Sequence, residues 1–297
     1  MSGGSGSDEL TSLDPVYFAD RTWTDRLGMW QSRAGVSGFS IGNERVVENA
    51  LSESDAGLRA VVNIGAAALL ELLSDEPYRN AYNLPLIGGA AKTPSAERLK
   101  VDDMLGIDAQ NTYFAAVALG GPGVRYYGEY CMVLSVDVVP MDSQVFDRDS
   151  YDLLLPPLSD FASDQARSDL VVRRLRGQWS DDLRSMVLLR VLPEMINQPR
   201  LVTSGTISAA VLRDQEFIEV HLHLVHSFGL EDVEEIRESP DEVAVEMRLR
   251  SRLQLGRALS QVERSWLKRR ELVAAGLDRI DMRSRVVTSH GQGYQWR

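Results

Sequence analysis

Three side chains with acid–base and metal-binding chemistry recur at every second position late in the chain. They are Glu219, His221 and His223, and apolar residues occupy the positions between them. Successive side chains of a β-strand point to opposite faces, so this spacing puts the carboxylate and both imidazoles on one face, about 7 Å apart. We therefore predict that the segment from Gln215 to Val225 is a strand with one apolar and one polar face.

The polar face of this strand has three interpretations. It is the solvated outer face of an antiparallel sheet, where alternating polar residues are common. Alternatively, Glu219 acts as a single functional carboxylate at a cleft. In the third interpretation Glu219, His221 and His223 bind a metal ion, because two imidazoles and one carboxylate are the ligands of zinc sites and of the facial triad of iron enzymes.

The order of the predicted elements indicates an α+β fold. Helices come first, and strands interrupted by helices follow, without the regular strand–helix alternation of a parallel sheet. We expect a mainly antiparallel, split sheet with N-terminal and C-terminal helices. The predicted regions are a flexible leader (1–13), a mainly helical region (14–105), a sheet core with inserted helices (106–239), and a basic helix and tail packed on the same domain (240–297).

Local sequence signals predict the elements that position the candidate strand. Apolar periodicity and capping residues predict helices over Ser54–Leu73, Ser95–Leu105, Ser180–Met195 and Glu242–Ala275. Alternation and β-branched residues predict strands over Asn111–Leu119, Val124–Val139 and Leu201–Leu212. The sequence GGPG between the first two strands is a strong turn signal, so we expect those strands to form a hairpin.

The predicted hairpin concentrates tyrosines and holds the chain's one cysteine. Tyr113, Tyr126, Tyr127 and Tyr130 are interpreted either as the lining of a cleft for a planar ligand or as ordinary strand residues. Cys131 lies in an apolar run, so we predict a buried core residue and not a nucleophile. A single cysteine also excludes an internal disulfide framework.

The charge distribution bears on partners and location. The net charge of −11 argues against broad nonspecific binding of nucleic acid. Residues 241–297 hold 12 basic and 7 acidic residues, so this segment is expected to pack on the acidic body or to contact an acidic partner. No apolar run approaches the roughly 20 residues that span a bilayer, and the N-terminus does not resemble a signal peptide. We predict a cytoplasmic protein without a membrane partner.

Two segments resemble parts of the mono-ADP-ribosyltransferase family, whose members share a split antiparallel sheet and cleave NAD. One is TYFAAVALGGPGVRYYGEYCMVL, which is similar to a core hairpin of that family, and the other is EFIEVHLHLVHSFGLEDVEEI, which is similar to a late strand of toxin-type members. In that strand a lone glutamate holds a hydroxyl of the nicotinamide ribose and stabilises an oxocarbenium-like transition state. The resemblance implies this catalytic role for Glu219, since a carboxylate stabilises developing positive charge in a dry cleft.

The resemblance also implies which residues bind NAD, the substrate of the reaction. Thr203 and Ser204 belong to TSGT, which is similar to the family's Ser-Thr-Ser element with a glycine inserted. Tyr113, Arg125 and Gln215 complete the expected NAD site, with Arg125 a candidate for the NAD phosphates.

A further candidate for the NAD phosphates is Arg98. Phe217 stands where arginine-directed members have an acid or a glutamine, so arginine-directed transfer is not expected. The implied acceptor is a protein or a nucleic acid. Two alternatives stay open, namely a metal-dependent hydrolase or oxygenase built on Glu219, His221 and His223, and a non-catalytic structural or interaction protein.

Overall fold

The structure is a computed structural model, and it places the candidate strand inside a large sheet. It describes residues 21–36, 49, 57–80, 95–108, 111–155, 169, 172, 175–197, 204–213, 216–224, 227–288 and 293–296. Within these residues, no helix combines the length and the apolar character that crossing a bilayer requires.

Helices and strands alternate irregularly along the chain. The α-helices are α1 (Trp23–Val36), α2 (Ala66–Leu72), α3 (Ala96–Leu105), α4 (Leu183–Asn197), α5 (Ser204–Val211), α6 (Pro240–Gln254) and α7 (Gln261–Arg279). The strands are β1 (Arg59–Ile64), β2 (Thr112–Ala118), β3 (Tyr130–Leu134), β4 (Gln144–Phe146), β5 (Arg176–Gln178), β6 (Leu212–Arg213), β7 (Glu216–Phe217), β8 (Glu219–His223), β9 (Val233–Glu238), β10 (Ser284–Val287) and β11 (Gly293–Trp296).

The main sheet confirms the predicted α+β class. In the described part of the chain its nine strands run in the order β11-β10-β9-β3-β1-β2-β8-β4-β5. The neighbours pair antiparallel except for β9 and β10, which are parallel. Strand β8 lies between β2 and β4, with Glu219 opposite Ala116 on one side and opposite Phe146 on the other.

Both faces of the sheet around β8 are covered. Val220 and Leu222 belong to the main core, which includes Trp23 of α1 and Met186 of α4. Glu219 points to the opposite face, because alternate side chains of a strand leave opposite sides. Smaller apolar clusters occupy that second face, and helix α3 contributes to one of them.

The predicted hairpin is wrong, although its first strand is confirmed. Strand β2 lies where we expected it, but both β2 and β3 pair with β1 and not with each other. The GGPG turn leads instead into a short 3-10 helix over Arg125–Tyr127, and β3 begins only at Tyr130. The GGPG signal predicts only that the chain changes direction locally. Which strands pair depends on long-range packing, and here β1 lies between β2 and β3.

The helix predicted over Ser54–Leu73 is wrong in its first half. Residues RAVVNI form β1, and the helix α2 begins only at Ala66. Because β1 is a central strand with both faces largely buried, its apolar residues Ala60, Val61 and Val62 follow one another and do not alternate with polar ones. Periodicity cannot distinguish such a run from a buried helix.

Two further element predictions need correction. The strand predicted over Leu201–Leu212 is largely the helix α5, whose buried Ile207, Ala210 and Val211 have helical spacing. The helix predicted over Glu242–Ala275 is broken into α6 and α7. The break carries a signal in the sequence, because Ser260 and Glu263 form a capping box at the start of α7.

The C-terminal helices are attached to the sheet by a buried ion network. Arg270 of α7, which is 1% exposed, donates to Glu246 of α6 at 2.8 Å and to Glu238 of β9. Ser284 of β10 donates to the same Glu238 carboxylate. The basic C-terminal segment thus contacts the rest of the chain through paired charges.

Candidate active site

Glu219 occupies the centre of the second sheet face and is almost completely buried. Its residue exposure is 3%, and that of His221 is 4%, whereas His223 at the end of β8 is exposed. The interpretation of this strand face as a solvated outer surface is therefore wrong for its first two polar residues. The parity of the strand was predicted correctly, but helix α3 and the turn that follows β4 cover this face.

Three hydrogen bonds hold the Glu219 carboxylate. The backbone N–H of Ser150 donates to Oε2 at 2.5 Å, and the Ser150 hydroxyl donates to Oε1 at 3.0 Å. The Nε2 atom of His221 lies 2.6 Å from Oε1. An ionised carboxylate only accepts hydrogen bonds, so Nε2 of His221 carries the proton in this arrangement.

Helix α3 supplies a guanidinium group to the same cluster. Arg98 donates to the Ser150 hydroxyl at 3.0 Å and to Asp102, one helical turn away, at 2.7 Å. Its Nη1 atom is also 4.0 Å from the Glu219 carboxylate. The side chain stacks over the ring of Phe114, with 4.1 Å between the guanidinium carbon and the ring centre. Arg98 is thereby fixed by four different groups.

These contacts keep Glu219 ionised despite its burial. Burial alone would raise the pKa of the Glu219 carboxyl, but His221, then Arg98 and the Ser150 N–H, lower it by a larger amount. The balance holds the pKa of Glu219 below its ordinary value. The site therefore contains a negative charge that is fixed in orientation and separated from water.

The turn that covers Glu219 carries a second carboxyl group. Asp149 accepts from the backbone N–H of Tyr151 at 2.9 Å and so caps the 3-10 helix Ser150–Leu154. Burial, followed by the nearby Glu219 charge, raises the pKa of Asp149 to about 6. The Tyr127 hydroxyl lies 3.5 Å from Asp149 Oδ2, and its ring is about half exposed at the rim of the cluster.

Aromatic rings surround the imidazole and exclude water from it. The ring of His221 is packed edge-to-face against Phe114, with 4.9 Å between ring centres, and lies tilted by 42° against Phe146, with 4.5 Å between ring centres. The Nδ1 atom of His221 is buried and has no hydrogen-bond partner in the described part of the structure. In such surroundings electrostatic interactions are stronger than in water.

The structure separates several residues that we expected to share one site. Tyr113 lies in the main core and contacts Tyr78 and Phe228, on the sheet face opposite Glu219. Arg125 is on the surface and forms ion pairs with Asp241 and Glu242 at the start of α6. Neither residue contacts Glu219. The structure therefore does not bring Tyr113 and Arg125 together with Glu219.

Other predicted site residues lie outside the described residues or away from the cluster. Thr203 and Gln215 are outside them, and of Ser204 only its backbone position at the start of α5 is described. Within the described ranges, no group of three or more His, Cys, Asp or Glu side chains is arranged to hold a metal ion. Glu219 and His221 bind each other, and the exposed His223 does not join them.

Sequence reasoning named Arg98 only as a candidate for the NAD phosphates, and it missed Ser150 and Asp102, which hold the Glu219 and Arg98 side chains. The Arg98–Asp102 pair has a recognisable signal, because opposite charges four residues apart meet on a helix. Ser150 gives no such signal, since it is 69 positions from Glu219 in the chain. The acidic sequence DRDSYD around it only indicates a turn.

Comparisons with known proteins do not identify a family. No protein-family model matches the chain, and no match to a curated protein was found.

The arrangement is suited to one kind of chemistry above others. The cluster holds the carboxylates of Glu219 and Asp102 against the single guanidinium of Arg98. An ionised, oriented carboxylate in dry surroundings stabilises a positive charge that develops on a bound molecule. It does not supply a nucleophilic triad, because Ser150 and His221 both bond to Glu219 and not to each other.

Proposed function

We propose that this chain is an ADP-ribosyltransferase-like enzyme that uses NAD as its substrate and modifies a macromolecular acceptor. Glu219 is its catalytic carboxylate and stabilises the positive charge on the ribose as nicotinamide leaves. The observation that carries this proposal is the burial of an ionised Glu219 whose carboxylate is fixed by Ser150 and His221. The antiparallel sheet and the sequence resemblance around Glu219 favour the same reaction.

The charge balance of the cluster supports a cationic transition state. Nicotinamide in NAD carries a positive charge, which passes to the ribose as the glycosidic bond breaks. Three carboxyl groups, those of Glu219, Asp102 and Asp149, lie close to Arg98 and His221, so carboxyl groups outnumber the groups that balance them and the site favours such a charge. The carboxylate needs no reorganisation during the reaction, because its hydrogen bonds already fix it.

Substrate has to reach a carboxylate that the Ser150 turn now covers. The half-exposed Tyr127 and the partly exposed Tyr151 lie at the solvent side of this turn. For substrate to enter, the turn must move so that the two hydrogen bonds from Ser150 to Glu219 break. The substrate's ribose hydroxyl then replaces the Ser150 donors.

The test is transfer of a labelled ADP-ribosyl group from NAD to protein and nucleic-acid acceptors. We expect transfer by the wild type, its loss in Glu219→Gln, and its retention in Glu234→Gln, which alters an exposed carboxylate of β9. Transfer that persists in folded Glu219→Gln would overturn the proposal. Activity that is abolished by a chelator and restored by zinc or iron would favour the metal alternative.

A structural role for the same cluster is the second candidate function. It is favoured by the complete engagement of the Glu219 carboxylate by protein donors within the second sheet face. Under this alternative, Glu219→Gln lowers stability but removes no activity, because the wild type neither binds nor cleaves NAD. Calorimetric titration of the wild type with NAD separates the two candidates.

A further inference from the structure

The first part of helix α7 and the end of α6 form an arm that packs on itself beyond the sheet. We define the arm as residues 245–269. Its apolar side chains form a separate cluster whose described members all come from these two helices and their connection, namely Val245, Leu249, Leu259, Trp266 and Leu267. Directly after the arm, Arg270 donates to Glu238 at the end of β9, and the rest of α7 packs on the main core. The arm therefore extends from the end of the sheet at which β9 stops.

One face of helix α7 carries exposed apolar and basic side chains. Val262 and Leu272 are 76% and 48% exposed, and Lys268 and Arg269 between them are also exposed. Positions 262, 265, 269 and 272 follow the helical repeat of three and four residues, and position 268 adjoins them. These side chains therefore share one face that is about 15 Å long. We call Val262, Lys268, Arg269 and Leu272 the α7 stripe.

The two positive charges of the α7 stripe are not balanced within the described part of the chain. Neither Lys268 nor Arg269 has a hydrogen bond or an ion pair there. The neighbouring carboxylates of Glu263 and Glu271 are already paired with arginines of α6, at 2.5 and 2.9 Å. The stripe thus offers two cations and two apolar side chains to a partner that carries negative charge.

A surface of opposite charge lies in the segment after β3. Val136 and Met141 are 55% and 66% exposed, and the side chains of Asp137 and Asp142 beside them are also exposed. The N–H of the residue before Asp181 donates to the Met141 backbone oxygen at 3.2 Å, so the exposed Asp181 belongs to the same surface. We call Val136, Asp137, Met141, Asp142 and Asp181 the acidic patch.

The negative charges of the acidic patch are also unbalanced. None of its three carboxylates has a hydrogen bond or an ion pair among the residues that the structure describes. The nearest cation along the chain is Arg184 of α4, and it is already engaged by another group. The patch therefore matches the α7 stripe in charge, and both surfaces have two exposed apolar side chains at their disposal.

The two surfaces lie at opposite ends of the sheet and do not meet within one chain. Arg270 of α7 donates to Glu238, which pairs with Tyr130 at the start of β3. The acidic patch begins two residues after Leu134, where β3 ends. Four steps of about 3.3 Å along β3 separate these ends by about 13 Å, and the arm extends away from the sheet. Each chain consequently presents both surfaces to its surroundings.

We propose that the α7 stripe of one chain binds the acidic patch of a second copy of this chain. The cations of the stripe meet the carboxylates of the patch, and the exposed apolar side chains of the two surfaces pack on each other. Opposite charges favour this pairing, whereas two stripes or two patches repel each other. Because the contact joins two different surfaces, it produces a ring or an extended row of copies and not a two-fold dimer.

Sedimentation velocity of the whole chain over a range of concentrations tests this contact. At low salt, we expect the average mass to rise with concentration beyond that of two chains. Raising the salt from about 0.05 to about 0.5 M should weaken the association about tenfold, because salt screens exposed charges. Two charge-reversed proteins should each remain at the mass of one chain. The stripe variant combines Lys268→Glu with Arg269→Glu, and the patch variant combines Asp137→Lys with Asp142→Lys.

An equal mixture of the stripe variant and the patch variant tests the pairing of the two surfaces. The stripe variant has two acidic surfaces and the patch variant has two basic ones, so neither associates alone. In the mixture every stripe finds a patch of opposite charge, and we expect the association to return to within about threefold of that of the wild type. Misfolding of either variant would not produce such a recovery.

Matched variants make the result specific. Arg79→Glu reverses the charge of an arginine that pairs with Glu76 outside both surfaces, and it should associate as the wild type does. Glu219→Gln should also associate normally, so that failure of the proposed enzymatic function leaves this test intact. Circular dichroism shows that each protein is folded. If a charge reversal prevents folding, Lys268→Gln and Asp142→Asn replace it, and each should weaken association about threefold.

Several results would overturn the inference. A wild type that keeps the mass of one chain at every concentration at low salt would show that the two surfaces do not bind each other. Folded stripe and patch variants that associate like the wild type, or that fail to recover on mixing, would place the contact elsewhere. Binding of duplex DNA by a wild type that does not self-associate, lost in the stripe variant, would assign the stripe to nucleic acid instead.

Discussion

Removal of the Glu219 carboxylate is the perturbation with the largest calculable effect on the candidate site. Glu219→Ala leaves the Ser150 N–H and the His221 Nε2–H without an acceptor, and both groups are buried. The Ser150 hydroxyl also loses its acceptor, but it can rotate toward another. We therefore compare Glu219→Ala with Glu219→Gln, which keeps the shape of the side chain and one carbonyl oxygen.

The expected loss of unfolding free energy follows from the number of buried donors that lose their acceptor. Each buried group left unpaired costs about 1–3 kcal/mol, and breaking a buried ion pair on one side costs about 3–5 kcal/mol. We expect Glu219→Ala to lower the free energy of unfolding by about 4 kcal/mol. The amide of Glu219→Gln still accepts from Ser150, so its cost is about 1–2 kcal/mol.

The assay is urea unfolding followed by circular dichroism at neutral pH, with equal slopes in the compared variants. The surface variant Glu234→Gln is the control, because an exposed ion pair contributes at most about 1 kcal/mol. If Glu219→Ala and Glu219→Gln lower stability by the same amount within about 0.5 kcal/mol, the carboxylate contacts do not hold the site together, and the reasoning is refuted.

Three further predictions concern the backbone, the buried ion network and pH. Gly128→Ala puts a Cβ 2.1 Å from the backbone carbon of Ile64, which cannot move aside, and should cost about 3 kcal/mol or more in urea unfolding. Arg270→Met removes the guanidinium that donates to the buried Glu238 and Glu246, of which Glu246 still pairs with Arg250, and should cost about 3–5 kcal/mol by the same measurement. Because the folded pKa of Asp149 is raised to about 6, its contribution to stability is present near pH 4 and is lost as the pH rises through 6. Asp149→Asn should therefore be more stable than the wild type by about 1 kcal/mol near pH 8 and equal to it near pH 4, the full shift being reduced because the side chain is only partly buried.

Matched variants control these experiments. Gly28→Ala adds a Cβ with nothing within 4 Å in helix α1, so it should stabilise by about 0.5–1 kcal/mol. Arg79→Met removes a solvent-exposed pair and should cost at most about 1 kcal/mol. A stability difference between Asp149→Asn and the wild type that does not change with pH would contradict the assigned titration.

Strand β8 shows how far the sequence predicts the site. Alternation fixed the parity of its residues, so Glu219 and His221 were correctly placed on one face. Alternation could not show whether that face meets water, since this depends on elements distant in the chain. Helix α3 and the turn at Ser150 bury it, and the Ser150 contact spans 69 positions. The sequence therefore predicted the alternation of β8 correctly but left undecided whether its polar face is buried.

Strand β1 illustrates the opposite limit. Its sequence, RAVVNI, precedes an alanine- and leucine-rich helix, and in both segments apolar residues follow one another without strict alternation. The β-branched residues of β1 favour a strand, but the helix-forming residues that follow it led to the prediction of one long helix. Because β1 lies between β2 and β3, Tyr113 and Arg125 are not neighbours as they would be in a simple hairpin.

The catalytic role of Glu219 is tested by the rate of nicotinamide release from NAD by the wild type and by Glu219→Gln. We expect release by the wild type, its loss in Glu219→Gln, and an unchanged rate in Glu234→Gln, with all three proteins folded. A folded Glu219→Gln protein that releases nicotinamide at the wild-type rate would contradict the catalytic role of Glu219. A folded wild type that releases none with any acceptor would contradict the proposed reaction itself.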